Sequence, residues 1–218
     1  MPESYIAFFD LDLTIISRNS GSIIVRQAYK NGLMSTRNLI HAIFQSYLYK
    51  LHLRETELII KKMGTWVKGL RIEEIDELST EVVNNFLIEH IRPEIIKVID
   101  FHRKNNARLG ILSSAISSIC MPIGRYLGID EIICTTLEII EGTLTGNPSG
   151  NFCFGDEKRT RLLSFCDKNN WDPAQAWYYS DSVSDLPVFE VVGHPVCISP
   201  DKKLTRIALE KGWEIYNW

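Results

Sequence analysis

The chain opens on an unbroken apolar run, Tyr5-Ile6-Ala7-Phe8-Phe9, that ends on the carboxylate of Asp10. A short continuous run of this kind, rich in aromatic residues, predicts a strand buried on both faces. From Ser17 to His90 the rhythm changes to a helical one. Leu39, Ile40, Ile43, Phe44, Tyr47, Leu48 and Leu51 recur at helical spacing, with His41, Gln45, Ser46 and Lys50 opposite them. A further helix is predicted from about Ile72 to His90, through Ile75, Leu78, Val82, Val83, Phe86 and Leu87. This stretch carries no strand signal and reads as a compact helical insert.

Beyond Arg92 helices and strands alternate. Pro93 suits a first helical turn and opens a helix through Ile95, Ile96, Val98, Ile99 and Phe101. Arg108 to Leu112 is a predicted strand running into Ser113-Ser114. The next helix carries Ile119, Ile123 and Leu127 and stops at Gly128. Glu131 to Cys134 is a strand, and Leu137 to Thr145 reads as a hairpin around Glu141-Gly142. A helix from about Lys158 to Lys168 leads to a strand from Ala174 to Tyr179, which exits on Ser180-Asp181. Val196 to Ile198 and Trp213 to Tyr216 complete the series. This alternation predicts an α/β fold, a Rossmann-like, mostly parallel sheet with helices on both faces. A small all-helical unit is inserted after the first strand. The predicted division is a core of residues 1–16 and 92–218 and an insert of residues 17–91.

Composition narrows the function. A hydrophobic share of 45% and a charged share of 23% over 218 residues are those of an ordinary globular protein. A formal net charge of -3 gives no reason to expect nucleic acid or an anionic membrane as partner. No stretch approaches the ~18 apolar residues of a membrane span, and no basic-then-apolar leader is read at the start. Cys120, Cys134, Cys153, Cys166 and Cys197 are scattered, without a CxxC pair or metal-ligand spacing. Buried free thiols in a reducing cytoplasm are expected.

Ligands of open α/β sheets bind beyond the carboxyl ends of the strands. Four polar clusters fall there: Asp10-Leu-Asp12-Leu-Thr14, Ser113-Ser114, Lys158, and Asp181-Ser-Val-Ser-Asp185. Asp10 and Asp12, two apart on extended chain, can lean to one side. Two such carboxylates repel unless a cation or a proton intervenes. Asp181 leaves a buried strand and suits a hard divalent cation, which prefers carboxylate and carbonyl oxygens. Asp185 fits either a ligand or a cap before Leu186-Pro187. The Ser113 hydroxyl and nearby amides suit a phosphate oxygen, although Ser114 or Ser117 also fits a helix cap. Lys158 supplies the positive charge that a dianionic phosphate among carboxylates requires.

Together, Phe8-Phe-Asp-Leu-Asp-Leu-Thr14, Ile111-Leu-Ser113, Lys158 and Tyr179-Ser-Asp-Ser-Val-Ser-Asp-Leu-Pro187 resemble the motifs of the haloacid dehalogenase superfamily. The phosphoserine-phosphatase-like branch is the nearest, and Glu141 to Gly146 also resembles a segment common there. The resemblance covers the core and is weak over the insert, which takes the place of that branch's helical cap. It implies a Mg2+-dependent phosphomonoester hydrolase acting on a small phosphorylated metabolite. Asp10 would become the aspartyl-phosphate, and Asp12 would act as general acid and base. Mg2+ would be held by Asp10, Asp181 and the backbone carbonyl of Asp12, with Asp185 in support. Ser113 (or Ser114) and Lys158 would bind the phosphoryl group, and Thr14 would orient the loop. In one departure, Asn19 stands where phosphoserine phosphatases place a glutamate that holds the substrate's amino group. Another is Leu13, at a position where glycine is common.

Three alternatives accompany this reading. A phosphotransferase or mutase would use the same fold with an acceptor other than water. A non-catalytic receiver would use Asp10 only as phosphoacceptor, but would have no need of Asp12. The amphipathic helix from about Asn38 to Leu51 would suit a lipid phosphatase, although packed core is the commoner fate of such a stripe.

Overall fold

The computed structural model describes residues 5–50 and 64–218. Six parallel strands form the sheet. They are β1 (Ile6–Phe9), β2 (Arg108–Ile116), β3 (Glu131–Thr135), β6 (Trp177–Ser180), β7 (His194–Ile198) and β8 (Glu214–Tyr216), in the order β3-β2-β1-β6-β7-β8. β4 (Leu137–Ile140) and β5 (Thr143–Pro148) pair as a separate antiparallel hairpin.

Burial on both faces explains why β1 is apolar at every position. Ala7 and Phe9 join one hydrophobic cluster and Ile6 and Phe8 the other, as alternating side chains must. On the first face lie α1 (Ser20–Lys30), α3 (Ile72–Val82), α4 (Pro93–Lys104) and α5 (Ser117–Leu127). The second is covered by α6 (Asp156–Lys168), the short α7 (Leu186–Phe189) and α8 (Lys202–Lys211). On the first face Phe9 stacks on Tyr179 at a centroid separation of 4.8 Å. The buried His102 imidazole is hydrogen-bonded through Nε2 to the Tyr179 hydroxyl at 2.7 Å and through Nδ1 to the Tyr5 hydroxyl at 2.9 Å.

The helical stretch after β1 shares the first cluster, through Ile24 and Ala28 of α1 and Ile75, Leu78 and Val82 of α3. Its two connections run side by side: the Ser17 amide donates to the His90 carbonyl at 2.9 Å, and the Arg92 amide to the Ile15 carbonyl at 3.0 Å. It is also bonded to the hairpin, with the Leu144 amide donating to the Leu70 carbonyl at 2.8 Å.

Several boundaries differ from expectation. The helix predicted to continue to His90 leaves α geometry at Val82, passes through a π turn at Val83–Leu87 and closes in a 3-10 turn at Ile88–His90. β2 continues past the serines to Ile116, its register against β3 shifting after Leu112. The amphipathic helix is α2 (Thr36–Lys50). Its Ile40, Ile43 and Phe44 are exposed, whereas packing into the core was expected, and its proposed end at Leu51 lies outside the described residues. All five cysteines are buried and free. Among the described residues, no helix is long and apolar enough to cross a membrane.

Candidate active site

β1 is the switch point of the sheet, with β2 and β3 on one side and β6, β7 and β8 on the other. A crevice forms outside the carboxyl ends of the strands where the winding reverses. Register places the polar clusters around it. Phe9 pairs with Ile111 and with Tyr179, so Asp10, Ser113 and Ser180-Asp181 all leave the same edge. The Asp10 amide donates to the Tyr179 carbonyl at 2.9 Å, which fixes the strand exit. Leu13, in the loop beyond, has a φ of 59°. That left-handed conformation costs a non-glycine residue ~1–2 kcal/mol and accounts for glycine's suitability there.

A cavity of about 620 Å³ opens at this edge. Asp10, Asp12, Asn19, Ser114, Lys158, Asp181 and the buried Asp185 are in its wall. Ser113 is buried beside it, its Oγ accepting from the Ala115 amide at 3.3 Å. Ser114 is exposed. Neither Ser114 nor Ser117 caps α5, whose N-cap Ile116 has no side-chain hydrogen bond.

Lys158, in the first turn of α6, is the buried cation of the site. Its Nζ donates to Asp10 Oδ1 at 3.0 Å, Asp185 Oδ2 at 2.8 Å and the Tyr178 hydroxyl at 3.2 Å. Asp185 Oδ2 also accepts from the Tyr178 hydroxyl at 2.7 Å and Ser180 Oγ at 2.6 Å. Burial works against the ammonium, but the Asp10 and Asp185 carboxylates outweigh it and hold the Lys158 pKa well above its ordinary value. Asp185 stands at the N-cap position of α7 but its side chain makes no capping hydrogen bond, contrary to the cap reading; it is a buried acceptor that fixes the lysine.

Asp12 faces the helical stretch. Its Oδ1 accepts from the Ser20 amide at 3.0 Å and its Oδ2 from Asn19 Nδ2 at 3.2 Å. Asn19 Oδ1 in turn accepts from the Ser22 amide and hydroxyl, both at 2.9 Å, and so caps α1. The Asn19 amide is thus engaged with the protein on both sides. Burial pushes the Asp12 carboxyl up to about 6, against the lowering effect of the Ser20 bonds. Burial also raises Asp10, with Lys158 opposing it. Asp181 is pushed to about 8 by burial, then by the neighbouring Asp10 and Asp185 carboxylates.

This arrangement fits a hard divalent cation. Asp10 and Asp185 meet on one lysine with the Asp181 carboxylate near enough to feel both, and the second oxygen of Asp185, Oδ1, is buried without a hydrogen-bond partner. Among the described residues no three His, Cys, Asp or Glu side chains converge as a cage. Mg2+ does not need one, since it typically takes one or two carboxylates and keeps several waters.

Sequence reasoning missed Tyr178, Ser180 and Asp201. Asp201 Oδ2 accepts from the Val183 amide at 2.7 Å, its Oδ1 caps α8 at the Lys203 and Leu204 amides, and its own amide donates to the Asp181 carbonyl at 2.8 Å. It ties the Asp181–Asp185 loop to α8. The signal for it was Ser-Pro-Asp before an amphipathic run, a pattern of helix starts.

The family model for haloacid dehalogenase-like hydrolases matches residues 7–190. The chain belongs to this family. Within the haloacid dehalogenase-like hydrolases it is similar to the histidinol-phosphatase of Neisseria meningitidis serogroup C, 29% identical over 98% of each chain. It is also similar to the inhibition of morphological differentiation protein of Streptomyces azureus, 26% identical over 97% of this chain and 78% of that one. A crystal structure of a protein of unknown function from Bordetella pertussis Tohama I superimposes with a TM-score of 0.88 at 21% identity, over 98% of both chains. That likeness shows the fold alone.

Proposed function

We propose that the protein is a Mg2+-dependent phosphomonoesterase that works through an aspartyl-phosphate on Asp10. The observation that carries this reading is the pairing at the exit of β1. Asp10 meets Lys158, while Asp12 turns to the helical stretch with a carboxyl that changes charge near pH 6. The two carboxylates therefore suit different tasks, a nucleophile and a general acid and base.

Asp10 attacks phosphorus, and the bond to the leaving oxygen breaks as Asp12 delivers its proton there. Asp12, now ionised, takes a proton from water, which then cleaves the acyl phosphate and regenerates Asp10. Lys158 and the Ser113-Ser114 turn hold phosphoryl oxygens. Asp10, Asp181 and the Asp12 carbonyl would hold Mg2+, which when bound supplies positive charge to the phosphoryl oxygens. Asp185 keeps Lys158 in place and supports that site, and Thr14 orients the loop.

Residues 17–91 act as a cap over a core of residues 1–16 and 92–218, with a small phosphorylated metabolite between them. The phosphatase name of the Neisseria relative supports the reaction class. Five free thiols fit a reducing compartment such as the cytoplasm.

The test uses an activated aryl phosphate. Hydrolysis should require Mg2+, stop in excess chelator, and return when Mg2+ is restored. Asp10→Asn should be inactive with its fold intact. Asp12→Ala should accumulate acid-stable phosphoprotein, because an aryl leaving group needs no proton whereas breakdown of the intermediate needs a base. Undiminished turnover by Asp10→Asn, or in chelator, would refute the mechanism.

A further inference from the structure

We propose that Lys202 and Lys203 form a second anion-binding element of this cavity, and that the preferred substrates carry a negative group on the leaving alcohol. The inference rests on the phosphomonoesterase reading and names its substrate class.

Both lysines are in the wall of the cavity that contains Asp10 and Asp12. Both are exposed, and neither side chain makes a hydrogen bond or ion pair with a described residue. The acidic group adjacent in sequence, Asp201, is committed to backbone: its oxygens accept from the Val183, Lys203 and Leu204 amides. Deeper in the cavity, Lys158 already answers Asp10 and Asp185. Apart from the Asp201 carboxylate beside them in the same wall, no acidic side chain among the described residues pairs with the two outer lysines.

Their position is unfavourable for the helix. They are the first two residues of α8, where the partial positive charge of the helix end disfavours cations. The helix has no acidic residue within its first turn, and the one carboxylate at this end is the N-cap Asp201, which is bonded to the Lys203 and Leu204 amides. A break with local preference, placed in the wall of a functional cavity, is the pattern of residues retained for a ligand.

The rest of the cavity wall also disfavours a cationic leaving group. Asn19 is neutral and its amide is occupied by Asp12 and Ser22. The remaining outer wall includes Leu13 and Phe154, which offer apolar contact only. An ammonium on the leaving alcohol would meet two lysines, and the carboxylate nearest them among the described residues, Asp201, is already bonded to three backbone amides. A carboxylate there would meet two ammonium groups that no described side chain pairs with.

The experiment compares three esters that differ only at the far carbon: phosphoglycolate, ethylene glycol monophosphate and phosphoethanolamine, which are anionic, neutral and cationic there. The wild type with Mg2+ should prefer them in that order, with kcat/KM for phosphoglycolate about tenfold or more above phosphoethanolamine. Lys202→Gln/Lys203→Gln should reduce the phosphoglycolate-to-ethylene-glycol-monophosphate ratio about tenfold, mainly through KM. The same variant should melt no lower than the wild type, since two cations leave a helix N-terminus. A purely structural role for the lysines would reverse that sign. An unchanged substrate ratio in the double variant, or wild-type preference for the cationic ester, overturns the proposal while leaving the phosphatase reading intact. Absence of hydrolysis of all three esters and of the aryl phosphate overturns both.

Discussion

Replacing Lys158 by methionine keeps the volume of the side chain and removes its charge, so it isolates the electrostatics of the site. The lysine is 2% exposed and lies 3.0 Å from Asp10 Oδ1 and 2.8 Å from Asp185 Oδ2. At an effective dielectric constant of about 20, each contact is worth ~5–6 kcal/mol before desolvation is subtracted. Burying the ammonium consumes much of that gain, yet removing one partner of a buried pair leaves carboxylates without compensation. The expected net loss is ~3–5 kcal/mol. In a chain of this length it corresponds to a fall of ~6–20 °C in melting temperature. The assay is a thermal melt in chelator, at neutral pH and near pH ~5. Burial already raises the Asp10 pKa, and Lys158 is the group that opposes the rise. Without the lysine the folded pKa of Asp10 goes higher. A raised folded pKa stabilises below the unfolded value and loses that stability as pH climbs through it. The deficit of Lys158→Met should therefore be largest at neutral pH and shrink on acidification. A variant within ~1 kcal/mol of wild type at neutral pH, or a gap that widens with acid, would refute the argument.

Two further outcomes are expected. Asp201→Ala removes the α8 cap and the bond to the Val183 amide, so it should cost ~2 kcal/mol in chemical denaturation and raise the Mg2+ concentration for half-maximal hydrolysis, while Asp201→Asn should recover part of the stability. Equal metal dependence in all three proteins would remove Asp201 from the control of the Asp181 loop. Burial, then the nearby His194, lowers the His102 pKa to about 4, below an unfolded value of ~6.5. Because the folded pKa is depressed, the stabilisation is complete above ~6.5 and is lost as pH falls towards 4. The loss should reach ~2 kcal/mol after screening is allowed for. Denaturant midpoints of wild type and His102→Gln should converge on acidification; parallel pH curves would show that His102 titrates alike in both states.

The elements easiest to read in the sequence were those whose burial fixes their composition. β1 must be apolar on both faces because Ala7 and Phe9 enter one cluster and Ile6 and Phe8 the other, and its carboxyl end follows from the first acid after Phe9. The helix after Ile72 was drawn too long because its apolar spacing continues through the π turn at Val83–Leu87. One extra residue in a turn leaves no compositional mark. β2 was drawn too short because Ser113 and Ser114 look like the start of a turn, whereas the strand carries them onward to Ile116.

The missed residues of the site share a physical cause. Tyr178 and Ser180 read as filling of an apolar strand, yet they are two apart and so face the same way. Both donate to Asp185 Oδ2, while Tyr179 between them turns to His102 on the other face. A buried hydroxyl needs a partner, so two hydroxyls on one face of a strand that ends in a carboxylate cluster were a legible sign. Asp201 carried a weaker one, because a helix cap and a loop tether use the same residue. What distinguishes them is the Val183 amide, 18 positions away in the chain, and only the fold brings it there. The site is thus more tightly bound together than its four sequence clusters suggest. Lys158 links Asp10 to Asp185, and Asp201 links the Asp181 loop to α8, so the spacing of the carboxylates depends in part on Asp201, a residue that need not touch substrate.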